Sequence, residues 1–173
     1  NMKTGKPEYQ PLPRHDRRFT LLRATCALPL LFPPIKYNGQ FYMDGGITDP
    51  IPVVHTLEQA HCDRVLVVLT QDRRYIKAPE RALEIGKLRY RGWPNFTRAL
   101  DERTMRYNAA LERVRRYEAE GKAFVIAPRD SSGYHRLEQD PAVLKQWYDD
   151  GYAAVGERLD ALRSFLGLTP AAQ

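Results

Sequence analysis

Few residues of this chain are of the kinds on which disulfide-bonded, secreted or membrane-spanning proteins depend. Only two of its 173 residues are cysteines, Cys26 and Cys62, and both are expected to be unpaired in a reducing compartment. No uninterrupted apolar run approaches the roughly 20 residues needed to span a bilayer. Residues 1–6 carry lysines with no apolar stretch behind them, which is unlike a signal peptide. These absences predict a cytoplasmic protein, with peripheral contact to a membrane left open.

Several short motifs of catalytic and binding sites are also missing. No Gly-x-Ser-x-Gly nucleophile turn and no Gly-x-x-x-x-Gly-Lys phosphate loop occurs in the 173 residues. Asp44 and Asp49 lack the alternating ligands of a calcium loop, so a divalent-cation site there is a minor alternative. The four histidines have no metal-ligand spacing; they are His15, His55, His61 and His135. We therefore predict neither a metal nor another cofactor.

Five candidate side chains have an ordinary structural interpretation that we prefer. Cys26 and Cys62 are predicted to be small packing residues, with a catalytic Cys26 as the less favoured alternative. Ser131 and Ser132 lack the preceding glycine of a nucleophile turn, which indicates a plain loop. His55 is interpreted as a surface or helix-start residue instead of a triad histidine.

The net charge of +6 is concentrated in two basic segments. Residues 1–25 carry six Lys and Arg against two acids, and residues 72–92 carry seven against three. Such segments attract anionic lipid headgroups or nucleic acid, although solvated loops and helix faces are the commoner origin of a charge run. The predicted helix over residues 96–120 has six basic against five acidic residues, so no nucleic-acid partner is expected.

The first third of the chain predicts two short helices around a hairpin. Asp16 can cap a helix over residues 17–27. Asn38-Gly39 stands between two short β-forming runs and is a strong local signal for a hairpin over residues 35–43. A further helix is predicted over residues 52–60. The buried face of the first helix would be formed by Phe19, Leu21, Leu22 and Cys26.

The remainder alternates strands and helices, which predicts an α/β fold with a mostly parallel sheet. Residues 64–70 are a continuous apolar run typical of a strand buried on both faces, and residues 123–127 form a second strand. Helices are predicted over residues 80–90 and 96–120. A last helix is expected to start at Asp140-Pro141, kink at residues 149–151 and end at Gly167. Its apolar stripe would be Leu144, Tyr148, Val155, Leu159, Leu162 and Leu166.

The most informative stretch is Asp44-Gly45-Gly46, which places a carboxylate on a glycine turn just after the predicted hairpin. Taken alone, an aspartate beside two glycines is most often a turn residue that caps backbone amides. The glycines also permit positive φ and close approach of the backbone, which would leave the carboxylate accessible to a reacting group. The turn therefore permits chemistry without identifying it.

The order of elements around this turn resembles patatin-like lipid acyl hydrolases. The similar elements are residues 19–29, 31–34, Tyr42-Met43-Asp44-Gly45-Gly46 and Pro50-Ile51-Pro52. Residues 1–9 resemble that family's strand before a Thr-Gly-x-x-x-Tyr turn, and the chain from Leu69 onward resembles a bacterial branch with a C-terminal extension. The resemblance implies a partial patatin-like three-layer fold. Residues 1–92 would be the C-terminal part of the patatin-like catalytic domain, and residues 93–173 would be a helix-rich α/β extension.

The resemblance also implies an activity. Asp44 would be the base of a Ser–Asp dyad that cleaves carboxylic ester bonds of lipids, as in a phospholipase, and Gly45 and Gly46 would form the motif turn. A carboxylate can act without histidine when partial burial raises its affinity for a proton. The nucleophilic serine and the glycine-rich oxyanion segment are missing, so the chain is expected to be a fragment that is inactive without its N-terminal half.

Two other interpretations remain open. A non-catalytic basic module would bind an anionic membrane surface or a protein partner through the two basic segments. A structural fragment would complete its sheet by self-association or with a partner, because lost strands leave an unpaired edge. In the leading interpretation the partner is an acyl-ester lipid substrate, and no cofactor is needed.

Overall fold

The computed structural model describes residues 1–60, 62–79, 82–135 and 137–168. It contains two compact units, neither of which is one continuous piece of chain. Unit 1 consists of Asn1–Pro52 and Lys77–Glu112, and unit 2 of Val53–Ile76 and Arg113–Gln173. The fold mixes helices and strands and includes a small parallel sheet, as the α/β prediction requires. The proposed boundary between residues 92 and 93 stays a prediction.

Unit 1 begins with a helix, a hairpin and a tight turn. The elements are α1 (Thr20–Thr25), β1 (Ile35–Tyr37), β2 (Gln40–Tyr42) and a 3₁₀ turn over Gly45–Ile47. The predicted hairpin is confirmed, because β1 and β2 pair antiparallel around Asn38 and Gly39. Both turn residues have positive φ, 45° and 76°, as a type I′ turn demands. The turn type fixes the register and brings the chain to Asp44 directly after β2.

α1 is shorter than predicted, and its predicted buried face is wrong. Asp16 does serve the helix start, since its carboxylate accepts the Thr20 amide at 2.5 Å and the Thr20 hydroxyl at 3.1 Å. Small residues do the packing instead, because Ala24 and Ala27 are the buried ones. Ala24 lies in α1, and Ala27 follows its C-terminal end. Phe19, Leu22 and Cys26 are exposed, and Leu21 is half-buried.

The core of unit 1 joins the N-terminal turn, the Asp44 region and two later helices. These are α2 (Ala82–Arg89), where Glu80 of the predicted helix lies outside the described residues, and α3 (Pro94–Ala119). Residues 1–6 form turns instead of the expected strand end, and the Asn95 amide donates to the Lys3 carbonyl at 2.9 Å. The buried cluster consists of Met2, Ala27, Met43, Ile47, Tyr90, Phe96, Ala99 and Leu100.

Unit 2 contains the parallel pair of strands. A π-helical turn over His55–Gln59 lies within the predicted helix and leads to β3 (Val65–Val68), which pairs parallel with β4 (Ala123–Ile126). Every residue of β4 is buried. The prediction that β3 is buried on both faces is wrong, since Leu66 is 42% and Val68 is 68% exposed. One face of β3 therefore has no cover among the described residues of this chain.

The C-terminal helices also depart from prediction. α4 (Pro141–Gly156) starts as expected, with the Asp140 carboxylate accepting the Ala142 amide at 2.8 Å. α4 continues through residues 149–151, where a kink is predicted, and α5 (Leu159–Phe165) follows after a break. The predicted apolar stripe is mostly at the surface. Its exposed members are Leu144, Tyr148, Val155, Leu159 and Leu166.

Two polar clusters hold the loops that follow β3 and β4. The Arg73 guanidinium donates to both oxygens of Glu118, at 2.6 and 2.8 Å, and to the Val125 carbonyl at 2.8 Å. The buried Ser131 hydroxyl donates to Asp72 at 2.8 Å and accepts the Asp72 amide at 2.9 Å. This reciprocal pair confirms the interpretation of Ser131 as a loop residue.

The Arg73–Glu118 pair makes the stability of unit 2 depend on pH. Hydrogen bonds from Arg73 hold the pKa of Glu118 below its ordinary value. The contribution of the pair is complete above about pH 5 and is lost as the pH falls through the lowered folded pKa. We expect Glu118→Gln to reduce the free energy of unfolding by about 1 kcal/mol at pH 7, because solvent screens a partly exposed bidentate pair. Urea unfolding at pH 7 and pH 3 measures this loss.

The matched control is Glu120→Gln, since Glu120 makes an exposed ion pair with Lys122 at 2.8 Å. This variant should change stability far less than Glu118→Gln does. The difference between wild type and Glu118→Gln should also shrink at pH 3. Equal effects of the two substitutions, or a difference that does not change with pH, would contradict the assignment.

Candidate active site

The main chain of the Asp44 turn is tied to the end of α1. The Asp44 amide donates to the Ala27 carbonyl at 3.0 Å, and the Thr48 amide closes the 3₁₀ turn on the Gly45 carbonyl at 3.1 Å. Met43 and Ile47 on either side are buried in the core of unit 1. The turn is therefore anchored at both ends, which holds the half-buried Asp44 side chain in a defined position.

Gly45 and Gly46 are needed for space and not for an unusual backbone angle. Neither has positive φ, so that part of the prediction is wrong. A Cβ at residue 45 would lie 3.0 Å from the Thr25 hydroxyl, and one at residue 46 would lie 2.9 Å from Oδ1 of Asp44. Close approach is therefore the reason for both glycines. The Gly46 amide donates to Asp44 Oδ1 at 2.7 Å and orients the carboxylate.

Asp44 lies in the wall of an open cleft of about 420 Å³ within unit 1. Asp44 is half-buried and is therefore not wholly enclosed by its own turn. Thr25 and Gly45 lie in the same wall. The lining also has an apolar part. It includes Leu12, Leu21, Leu22, Met43, Ile47 and Phe96.

Two tyrosine–carboxylate pairs also line this cleft. The Tyr9 hydroxyl donates to Asp49, and the Tyr42 hydroxyl donates to Glu8 at 2.6 Å. Burial and the bond to Asp49 raise the pKa of Tyr9, and the bond to Glu8, with burial, raises the pKa of Tyr42. Both tyrosines are therefore neutral hydrogen-bond donors at physiological pH, and both carboxylates are engaged by them.

Sequence reasoning missed most of these cleft residues. Glu8 and Tyr42 had no assigned role, and Asp49 was considered only as a partner of Asp44 in a cation site. No group of three or more metal-ligating side chains occurs in the described part of the chain. One signal was present, because Tyr9 ends the Thr-Gly-x-x-x-Tyr pattern that begins at Thr4.

The other candidates lie elsewhere. His55 contacts Gln59 at 2.8 Å within its own helical turn. His15 and His135 are exposed, and His61 lies outside the described residues. The packing role of Cys26 and Cys62 is wrong, because both thiols are exposed. Ser132 is exposed as well.

The arrangement of α1, the hairpin and the Asp44 turn lies in one of two parts of the chain that comparison with known families recognises. Residues 13–57 match the family model of patatin-like phospholipases. The resemblance is thereby confirmed over about a quarter of the chain, the patatin-like segment. It contains Asp44, Gly45 and Gly46 and ends before β3.

A second family model matches the other end of the chain. Residues 93–167 match DUF6363, a domain of unknown function. This match covers α3, β4, α4 and α5 and carries no activity by its description. No significant match to a curated protein or to a solved structure was found. Among the described helices, none combines the length and apolarity that a membrane crossing needs.

Proposed function

We propose that this chain supplies the acidic half of the active site of a serine acyl hydrolase that cleaves carboxylic esters of lipids. The observation that carries the proposal is the position of Asp44, held by the Gly46 amide in the wall of an open cleft within the patatin-like segment. In the complete enzyme, this segment would belong to a patatin-like three-layer fold. The serine and the oxyanion donors come from sequence outside these 173 residues.

The chemistry needs Asp44 to accept and return one proton twice. The serine oxygen attacks the ester carbonyl carbon while Asp44 takes the hydroxyl proton. The tetrahedral intermediate collapses, and its leaving alkoxide takes that proton from Asp44. Water then attacks the acyl-enzyme, Asp44 again accepts the proton, and collapse returns it to the serine oxygen. The negative charge of both intermediates falls on the carbonyl oxygen, which requires separate hydrogen-bond donors.

The apolar lining of the cleft supports an acyl chain as the bound group. Burial of each methylene of an acyl chain contributes about 0.8 kcal/mol. Tyr9 and Tyr42 add polar groups to the same lining, although their hydroxyl hydrogens are already donated to Asp49 and Glu8. The lining thus combines apolar surface with a few convergent polar groups, as ligand sites do.

Intact mass and activity of the native gene product test the proposal. We expect a mass above that of 173 residues, a peptide carrying a Gly-x-Ser-x-Gly turn, and hydrolysis of p-nitrophenyl butyrate. The 173-residue chain assayed in parallel is expected to remain at the background rate, because it lacks the serine of a Gly-x-Ser-x-Gly turn, the elbow serine. Turnover by the 173-residue chain, or a native product without an elbow serine that hydrolyses the ester, would contradict the proposal.

A basic module that uses residues 72–92 is less well supported. Arg73 is paired with Glu118, Arg74 lies 3.6 Å from Asp72, and Lys77 is only 6% exposed. These charges are engaged within the protein.

The exposed face of β3 indicates that another part of the protein, or a partner, packs there. Parallel strands are normally covered on both faces, and two-stranded sheets are rarely stable alone. We propose that the remaining polypeptide or a second copy of the chain covers this face and adds strands to the edge of the sheet.

A further inference from the structure

Residues 12–23 expose large apolar side chains in a segment that has no need of them for packing. Leu12 is 60%, Phe19 62% and Leu22 44% exposed. Exposed apolar residues scattered singly are common on protein surfaces. Leu12 and Leu22 line one cleft, and with Phe19 we call them the apolar patch, a kind of surface that marks interaction sites.

The same segment carries uncompensated positive charge. Arg14, Arg17, Arg18 and Arg23 are all exposed, and none of their side chains pairs with an acid in the described ranges of the chain. Asp16 is the only acid in the segment, and its carboxylate is occupied by the start of α1. The segment has a net charge of +3 that is available to an anionic partner.

The backbone of Phe19, within the same segment, is strained. Its φ of 50° lies in the left-handed region, which bulky L-residues avoid. The conformation is held by its own amide, which donates to the Asp16 carbonyl at 3.1 Å, and by the cap on Thr20. Because the ring is exposed, the fold gains little burial in return for the strain. Such outliers concentrate at functional positions.

The patch is continuous with the cleft of Asp44. Leu12 and Leu22 are exposed and also line the cleft, so they lie where the cleft meets the surface. Leu21 continues the apolar lining inward. Leu12 and Leu22 would give a hydrocarbon chain drawn from a lipid layer an apolar contact at the mouth of the cleft.

We propose that residues 12–23 dock unit 1 on an anionic lipid surface, with the mouth of the cleft facing the lipid. The arginines bind the headgroup phosphates, and Leu12, Phe19 and Leu22 insert at the boundary of headgroups and acyl chains. Mixed basic and apolar surfaces of this kind bind anionic bilayers both by electrostatic attraction and by burial of apolar side chains. The inference deepens the proposed function, since it names the source from which the acyl-ester substrate enters.

Vesicle flotation with the 173-residue chain tests the docking surface. We expect tight, salt-sensitive binding to vesicles of phosphatidylcholine and phosphatidylglycerol, and weak binding to phosphatidylcholine alone. The double variant Arg17→Gln/Arg18→Gln should bind the anionic vesicles about 30-fold more weakly, from the usual contribution of a basic residue near a charged membrane. Its control is Arg89→Gln/Arg91→Gln, which removes equal charge from exposed arginines of the second basic segment and should change affinity little.

Phe19→Gly separates docking from folding. Glycine adopts the left-handed angle without strain and removes only an exposed ring, so the unfolding temperature should not fall. Affinity for the anionic vesicles should nevertheless drop about tenfold, because the inserted apolar surface is lost. A variant that binds as tightly as wild type would overturn the role of Phe19 in docking.

Three results would overturn the proposal as a whole. They are equal binding to neutral and anionic vesicles, equal weakening by the two double-arginine variants, and tighter binding to an oligonucleotide or to a second copy of the chain than to vesicles. Failure of the catalytic proposal is distinguishable, because Asp44→Asn should bind vesicles as wild type does. A chain that binds vesicles but whose complete protein cleaves no ester would retain this inference and lose the catalytic one.

Discussion

Asp44→Asn is expected to lower kcat/KM for ester hydrolysis about 10³- to 10⁴-fold in the protein that carries both Asp44 and the elbow serine. An amide oxygen cannot take the serine proton, so the attack loses its base. The Asn side chain keeps an oxygen that can accept the hydrogen bond from the Gly46 amide, which is 2.7 Å long with Asp44. The turn should therefore fold as before. Hydrolysis of p-nitrophenyl butyrate measures the loss, and thermal unfolding verifies the fold.

Asp49→Asn is the matched control, since Asp49 lines the same cleft but bonds to Tyr9. Asparagine still accepts the tyrosine hydroxyl, so we expect less than about a tenfold change, the effect of about 1.4 kcal/mol. Retained turnover in Asp44→Asn, or equal losses in both variants, would refute the assigned role.

Gly5→Ala is expected to reduce the free energy of unfolding by about 3 kcal/mol. Gly5 has a φ of +63°, and a Cβ there would lie 2.3 Å from the Asn95 carbonyl oxygen. The neighbour is backbone at the start of α3 and has no rotamer by which to move away. The N-terminal turn would have to shift, which would draw the buried Met2 out of the core. Urea unfolding measures the change.

Gly39→Ala serves as its control. Gly39 has a φ of +76° in the hairpin turn, but no atom lies within 4 Å of the position of an added Cβ. The substitution therefore carries the backbone strain without the clash and should cost only about 1 kcal/mol. If the two substitutions destabilise equally, the contact with Asn95 has no energetic role.

Features set by neighbouring residues could be predicted from the sequence. Asn38-Gly39 specifies a hairpin turn, Asp140-Pro141 begins α4, and the helix predicted over residues 96–120 is found as α3. Each of these signals acts within one or two turns of chain. The Asp44 turn belongs to the same class, because its glycines and its cap lie within three residues.

Features that depend on distant partners could not be predicted. Whether Phe19 or Ala24 faces the core depends on what packs against α1, and the exposure of Val68 depends on what packs on that face of β3. The pair of Tyr9 and Asp49 joins residues 40 positions apart. Periodicity indicates which side chains share a face but not whether anything lies against that face.

The interleaving of the two units has a consequence for the order in which the protein forms during synthesis. Met43 and Ile47, which flank Asp44, pack with Phe96 and Leu100. At the usual elongation rates of about 5–20 residues per second, roughly 3 to 11 s separate the synthesis of Asp44 from that of Leu100. Asp44 therefore reaches its folded position late. The apolar side chains on either side of it stay exposed until the first turns of α3 leave the ribosome.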